Sequence, residues 1–96
     1  MPAYLIGNVT LEDAEGFAEY ATRVPEVVER YGGTFRARGG RVEVLEGNWV
    51  PKRVVLVEFD SFEQAVAARE SEAYQEALVA LSDGIERDFR IVEGID

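Results

Sequence analysis

The segment Arg53–Phe59 constrains the fold of this chain more than any other, because it is apolar on both faces. Its sequence is Arg-Val-Val-Leu-Val-Glu-Phe, and β-branched and aromatic residues of this kind favour a strand. An antiparallel strand with one face in water would alternate apolar and polar residues. We therefore expect helices to cover one face of the sheet and another layer to cover the second.

Other short segments predict the remaining strands of the sheet. Ala3–Val9 and Phe89–Glu93 are short and rich in apolar residues. Between them lie two short candidate strands, residues 34–38 and 41–46, separated by Gly39 and Gly40. Glycine pairs mark turns or bulges, so these two pieces form either one bulged strand or a tight hairpin.

A first helix is predicted to follow the first strand. Thr10 with an acid three residues later suggests a capping box, and apolar residues then recur at helical spacing. Pro25 cannot donate an amide hydrogen bond, so we expect a kink or a break near Arg23. Gly32 and Gly33 end the helix. The apolar positions are Ala14, Phe17, Ala21, Val24, Val28 and Tyr31.

A second helical region follows the central strand. Ser61 with Gln64 forms another capping box and opens a helix that extends to about Glu70. Ser71 can cap a further helical stretch that contains Tyr74, Leu78, Leu81 and Ile85. The order of elements predicts a split βαβ arrangement, that is, an α+β ferredoxin-like sandwich with an antiparallel sheet and helices on one face. Residues 1–96 form a single domain in this interpretation.

Charge and residue usage narrow the possible functions. The chain carries 19 acidic and 10 basic residues, a net charge of −9, and such a field repels nucleic acid and anionic membranes. The basic residues concentrate in one stretch that would welcome a small anion. This stretch contains Arg36, Arg38, Arg41, Lys52 and Arg53.

The chain has no cysteine and no histidine. This excludes thiolate chemistry and removes the commonest general base and the usual zinc and haem ligands. We expect neither a metal nor a cofactor. The first residues show no signal-peptide pattern, and no apolar run is long enough to span a bilayer. A cytoplasmic protein is the expectation.

The arginines and glycines of the basic stretch allow two interpretations. Arg36, Arg38 and Arg53 could clamp a carboxylate or phosphate with their guanidinium forks. Alternatively, they pair with the acids Glu43, Glu46 and Glu58 or protect a sheet edge. The two glycine pairs match no phosphate-binding fingerprint, which favours turns and caps.

Aromatic and amide residues provide further ligand-binding candidates. Asn48 and Trp49 in a loop, with Tyr20 and Tyr74 on helices, could line a pocket for a flat organic molecule. Trp49 could equally anchor a dimer interface. Glu58 shares a strand face with Val54 and Leu56. It is a weak candidate for an acid or base if that face is buried, and otherwise a salt-bridge partner of Arg38 or Arg53.

A spaced set of motifs resembles one family nearly end to end. The set comprises Tyr31-Gly32-Gly33, Arg38-Gly39-Gly40, Leu45-Glu46-Gly47 with Trp49-Val50-Pro51, Glu58-Phe59 with Ser61, Ser71 with Tyr74, and Glu93-Gly94. It resembles the domain-of-unknown-function family 1330, which is similar to the dimeric α/β-barrel superfamily. The chain differs where this family commonly has an aromatic pair, here Ala68 and Arg69, and where it commonly has an arginine, near Leu81.

The resemblance implies a homodimer in which the sheet of one protomer packs on that of its partner. It also implies a small aromatic or anionic ligand between sheet and helices. Superfamily relatives include cofactor-independent monooxygenases, haem-degrading enzymes, isomerase-like proteins and ligand-sensing modules, so fold analogy alone cannot choose among activities. The residues leave open a monooxygenase- or isomerase-like enzyme and a non-catalytic dimeric interaction or sensing module.

Overall fold

Four strands and three helices make up the described part of the chain. The computed structural model describes residues 1–10, 14–49, 51, 53–79 and 87–95. Asp13, the acid of the capping box predicted at Thr10, lies outside this part, as do Lys52, Leu81 and Ile85. The elements are β1 (Ala3–Val9), α1 (Ala14–Arg30), β2 (Thr34–Arg38), β3 (Arg53–Phe59), α2 (Phe62–Glu70), α3 (Glu72–Val79) and β4 (Arg87–Glu93).

The strands form one antiparallel sheet in the order β2-β3-β1-β4. Ile6 in β1 lies opposite Leu56 of β3 on one side and Arg90 of β4 on the other. The two innermost strands are therefore β1 and β3, the first and third in the sequence. Helix α1 connects β1 to the edge strand β2, which then pairs with β3. This arrangement is an α+β ferredoxin-like fold, as the order of elements predicted.

The hydrophobic core lies on one face of the sheet, which we call the inner face. Leu5 of β1 and Val57 and Phe59 of β3 are buried there against Val28 of α1 and Tyr74 of α3. Burying a side chain of this size stabilises a fold by about 1.5–3 kcal/mol. This face of the apolar central strand is therefore covered by helices, as expected.

The caps predicted at Gly32, Gly33, Ser61 and Ser71 are confirmed. The amides of Gly32 and Gly33 donate to the carbonyls of Glu29 and Val28, at 3.0 and 2.9 Å, in a Schellman motif that ends α1. Gly32 has φ +81°, which a glycine adopts at little energetic cost. The hydroxyls of Ser61 and Ser71 accept hydrogen bonds from the backbone amides of residues 64 and 74, and so cap the N-termini of α2 and α3.

Helix α1 continues through Pro25 as a single element, so the expected break into two helices does not occur. Pro25 has no amide hydrogen to donate to the carbonyl of Ala21, four residues earlier. The Nη2 atom of Arg38 donates to that carbonyl instead, at 3.1 Å. A side chain from the sheet thus satisfies the acceptor that proline leaves free.

Strand β2 contains a bulge that the sequence did not locate. Phe35 lies opposite Val57 and Ala37 lies opposite Leu56, so Arg36 is an extra residue in the ladder. An extra residue reverses the alternation of faces beyond it. Both Phe35 and Arg38 consequently point to the inner face, where a regular strand would separate them.

The second candidate strand of this region is absent. Residues 41–46 are irregular and exposed, so the prediction of a strand there was wrong. Within the described sheet, β2 is an edge strand that pairs only with β3. The segment does not pair with the open edge of β2, and β-branched residues such as Val42 and Val44 do not form a strand without a partner.

The second face of the sheet, which we call the outer face, has none of the described helices packed on it. Its centre is formed by Ile6 and Leu56, surrounded by Tyr4, Val54 and Val92. Val92 is 48% exposed and the other four are partly exposed.

No helix in the described part of the chain is both long and apolar enough to cross a membrane.

Candidate functional site

A cavity lies between the inner face of the sheet and helices α1 and α3. Its walls are mostly apolar, with Leu5 and Val57 from the sheet and Val24 from α1. Its polar lining comes from four residues that the sequence singled out, Tyr20, Arg38, Arg53 and Tyr74. The free volume is about 30 Å³, room for about two water molecules.

Two tyrosine hydroxyls meet in this cavity. The hydroxyl oxygens of Tyr20 and Tyr74 are 2.7 Å apart, and either one can donate. Burial raises the pKa of both phenols above the ordinary tyrosine value. For Tyr20, the neighbouring Tyr74 hydroxyl raises the pKa further. Both groups are therefore neutral at physiological pH and can act as hydrogen-bond donors.

Two guanidinium groups lie at the same cavity. Arg38 lies 4.9 Å from the ring centroid of Phe35, and Arg53 lies 5.0 Å from that of Phe17. Burial and the nearby charge of Arg38 lower the pKa of Arg53. Neither arginine has a carboxylate within 4.0 Å among the described residues. The pair therefore presents positive charge that the described part of the chain does not neutralise.

Gly39 makes the close approach of the two arginines possible. It follows Arg38 directly with φ +75°, a conformation that favours glycine. A Cβ atom there would collide with the guanidinium of Arg53. The turn predicted at this glycine pair thus also brings the Arg53 side chain beside β2.

Phenylalanine rings line the cavity, and the sequence did not identify them as a group. Phe17 was predicted as part of the helical apolar face, whereas Phe35 and Phe89 carry no sequence signal for a site. The Phe89 ring lies directly against Gly7, where a Cβ would be 2.5 Å from Phe89 Cε1. The signal that could have indicated this contact is a glycine within a strand, which marks close packing.

Arg69 packs against two aromatic side chains that line the cavity. Its guanidinium lies 5.0 Å from the ring centroid of Tyr74 and 5.3 Å from that of Phe89. This distance is typical of a cation–π interaction. Arg69 is one of the positions at which the sequence departs from the aromatic pair of the family that it resembles.

The loop candidates Asn48 and Trp49 lie away from the tyrosine and arginine cluster. Asn48 is exposed. Trp49 lines a separate open depression on the outer face, together with Asn8, Asp88 and Arg90. Its indole Nε1 is buried and has no hydrogen-bond partner within the described ranges. The structure therefore divides the predicted ligand-binding set into two groups.

Glu58 also lies on the outer face. Its carboxylate accepts a hydrogen bond from Nε of Arg36 at 3.1 Å, and its side chain is 33% exposed. The salt-bridge interpretation therefore holds, with Arg36 rather than Arg38 or Arg53 as the partner. The alternative role of Glu58 as an acid or base stays a prediction.

No group of three or more His, Cys, Asp or Glu side chains comes together in the described part of the chain to hold a metal ion.

Known structures share this fold. A protein of unknown function from Rhodopseudomonas palustris is 20% identical with a TM-score of 0.79, covering 99% of this chain and 83% of that chain. A cofactor-independent oxygenase from Streptomyces nogalater is 12% identical with a TM-score of 0.67, covering 99% and 94%. A dimeric ferredoxin-like protein of unknown function from Thermobifida fusca is 14% identical with a TM-score of 0.53, covering 96% and 90%.

Sequence comparison gives the family. No curated protein matches the chain. The model of the family described as domain of unknown function DUF1330 matches residues 2–95. This span contains every element of the sheet and every side chain of the cavity described above. The chain therefore belongs to the DUF1330 family, and its fold is ferredoxin-like.

Proposed function

We propose that this protein binds a small organic molecule, aromatic or anionic, in the cavity between its sheet and its helices. The observation that carries the proposal is the pair Arg38 and Arg53, which lies at an otherwise apolar cavity without a carboxylate partner among the described residues. An apolar cavity with a few convergent polar groups is the usual form of a ligand site.

The charge of the chain as a whole supports this interpretation. At a net charge of −9, acidic groups are abundant, yet none of the residues that line the cavity is acidic. Arg53 is partly buried, and the neighbouring positive charge of Arg38 repels it. A bound anion would relieve this repulsion.

The reaction class that we propose is a cofactor-independent monooxygenase- or isomerase-like activity. The oxygenase from Streptomyces nogalater shares the fold and is described as cofactor-independent. Tyr20 and Tyr74 would supply neutral proton donors inside the cavity. Likeness of fold does not by itself determine chemistry, so ligand binding should be tested before turnover.

A thermal-shift screen of the purified protein tests the binding proposal. The compounds are quinols, flat aromatic acids, lactone acids and nucleotides, and a ligand that binds only the native state raises the melting temperature by mass action. We expect one chemical class to raise it in the wild type and not in Arg38→Gln or Arg53→Gln. Arg41→Gln, in the exposed segment after β2, is the matched control. No shift with any compound would contradict the proposal.

We further propose that the protein forms a homodimer through the outer face of its sheet. Ile6, Leu56 and Val92 form an apolar patch there that no described helix covers. The partner sheet would provide the second layer that an apolar central strand requires. A dimeric structural neighbour from Thermobifida fusca supports the idea.

The second candidate function is a non-catalytic dimeric interaction or sensing module. The observation that favours it is the exposed apolar segment after β2, where Leu45 is 85% exposed. In this alternative the cavity is only a gap in the core. Absence of any ligand in the screen, together with a stable dimer, would favour this function over the first.

A further inference from the structure

The hydrogen-bond donors of the cavity outnumber the acceptors that they can use. Tyr20 and Tyr74 have two hydroxyl protons between them, and the hydrogen bond that joins them uses one. The described residues provide no other acceptor for the second proton. A ligand that occupies this cavity gains by placing an oxygen acceptor beside the tyrosine pair.

The arginines determine the charge of the ligand. Arg38 is held by its hydrogen bond to Ala21, which uses Nη2 and leaves its other N–H groups available. Arg53 lies beside Gly39, next to Arg38. Neither guanidinium group has a carboxylate partner among the described residues, so the pair disfavours a cationic ligand. It favours a carboxylate, because a carboxylate can accept two parallel hydrogen bonds from one guanidinium group.

The volume of the cavity limits the size of the apolar part of the ligand. Benzene fits a cavity of about 150 Å³ in other proteins, and the free volume here is about 30 Å³. A single ring therefore enters only if side chains that line the cavity move, and the guanidinium groups that lie over the rings of Phe17 and Phe35 are among those side chains. A charge-assisted hydrogen bond to the ligand can offset the loss of a cation–π contact. Several fused rings would need far more rearrangement.

These observations together identify a ligand class, on the condition that the proposed function holds. We propose that the cavity selects a compact, unsaturated carboxylate of about one ring, with its carboxylate at Arg38 and Arg53 and its other polar atoms acting as acceptors. The planar body would lie among the phenylalanine rings. Amines, neutral amides and polycyclic compounds would bind less well.

Matched small probes test this selection. Calorimetric titration would compare benzoate with three molecules of similar shape: acetophenone, which is a neutral acceptor, benzamide, which is neutral and carries donors, and benzylamine, which is a cation. 9-Anthracenecarboxylate tests the limit on size, and inorganic phosphate tests a simple anion. We expect benzoate to bind at least 10-fold more tightly than each of these probes, and Arg53→Gln to abolish the difference from acetophenone.

A second-acceptor probe tests the tyrosine pair. 4-Acetylbenzoate should bind more tightly than benzoate to the wild type, and the advantage should disappear in the double variant Tyr20→Phe/Tyr74→Phe. This variant keeps both rings and removes only the hydroxyls. An advantage that survives in the double variant would overturn the assignment of the tyrosines.

The possible failures are distinguishable. If acetophenone and benzoate bind equally well, the cavity is a ligand site and the inferred charge selection is wrong. If the anthracene acid binds more tightly than benzoate, the inferred size limit is wrong. If phosphate binds as tightly as benzoate, the arginine pair is a simple anion site and the ligand class is wrong. If no probe binds and the broader screen also fails, the proposed function itself is wrong.

Discussion

Arg38 donates a hydrogen bond, 3.1 Å long, to the carbonyl of Ala21, and this carbonyl is the one that Pro25 leaves without its helical partner. The proline thus creates an acceptor in the middle of α1, and the arginine from β2 fills it. The bond joins the helix to the sheet at the cavity. It also fixes one of the two guanidinium groups on which the proposed site depends.

The substitution Pro25→Ala tests this relationship. Alanine restores the amide donor, and proline in a helix interior is about 3 kcal/mol less favourable than alanine in model helices. We expect a gain in the free energy of unfolding smaller than this value, because Arg38 already satisfies the carbonyl. Urea unfolding measures the gain.

A double-mutant cycle completes the test. Arg38→Ala should destabilise the wild type by about 1 kcal/mol, because it removes the hydrogen bond to the Ala21 carbonyl. In the Pro25→Ala background the same change should cost clearly less. Equal costs in the two backgrounds would show that the bond and the proline are energetically independent.

Alkaline conditions should destabilise the fold through the buried tyrosines. Burial raises the pKa of Tyr20 and Tyr74 above the ordinary value of 10.0, so above this pH the unfolded chain releases protons that the native state retains. The contribution of these two groups to stability is therefore constant below about pH 10 and falls above it, by up to about 1.4 kcal/mol per pH unit for each tyrosine. Urea unfolding at pH 8 to 11 measures the slope.

The variant Tyr20→Phe/Tyr74→Phe serves as the control for this slope. Without the two hydroxyls, the free energy of unfolding should fall less steeply between pH 10 and 11. An unchanged slope would mean that other groups cause the alkaline loss of stability.

Gly7→Ala should disturb the cavity through Phe89. The new methyl group would lie 2.5 Å from Phe89 Cε1, so the ring must move, and overpacking of this kind costs about 1–3 kcal/mol. Thermal unfolding would measure the loss. Gly40→Ala, where nothing lies within 4 Å of the new atom, should have little effect. Phe89→Leu should restore part of the loss in the Gly7→Ala background.

The proposed dimer gives a further prediction. We expect sedimentation at low micromolar concentration to give a dimer mass for the wild type and a monomer mass for Ile6→Glu, because a charge at the centre of the outer face would be buried without a partner. Ala18→Glu, on the exposed side of α1, is the matched control and should remain dimeric. A monomeric wild type would contradict the proposal.

Patterns among residues that are close in the sequence predicted most of the helices and strands. The serines that cap α2 and α3, the glycine pair that ends α1, and the apolar strand Arg53–Phe59 all occupy the predicted places. Each of these signals depends on residues within a few positions of one another. The order of elements then left few ways to build the sheet.

The sequence did not predict the features that depend on distant contacts. The bulge at Arg36 exists only relative to the register of β3, and the continuity of α1 through Pro25 accompanies a hydrogen bond from β2. The candidate site was partly predicted for a similar reason. Tyr20, Arg38, Arg53 and Tyr74 line one cavity, whereas Trp49 was placed by a long loop whose path no local pattern determines.

The bulge in β2 affects how relatives of this protein should be compared. A family member that keeps two residues between Phe35 and Arg38 but lacks the bulge would present the same arginine to the opposite side of the sheet. Its presence in an aligned column would then say nothing about ligand preference. The register of β2 against β3 is therefore a better marker of a shared specificity than the identity of the charged residue.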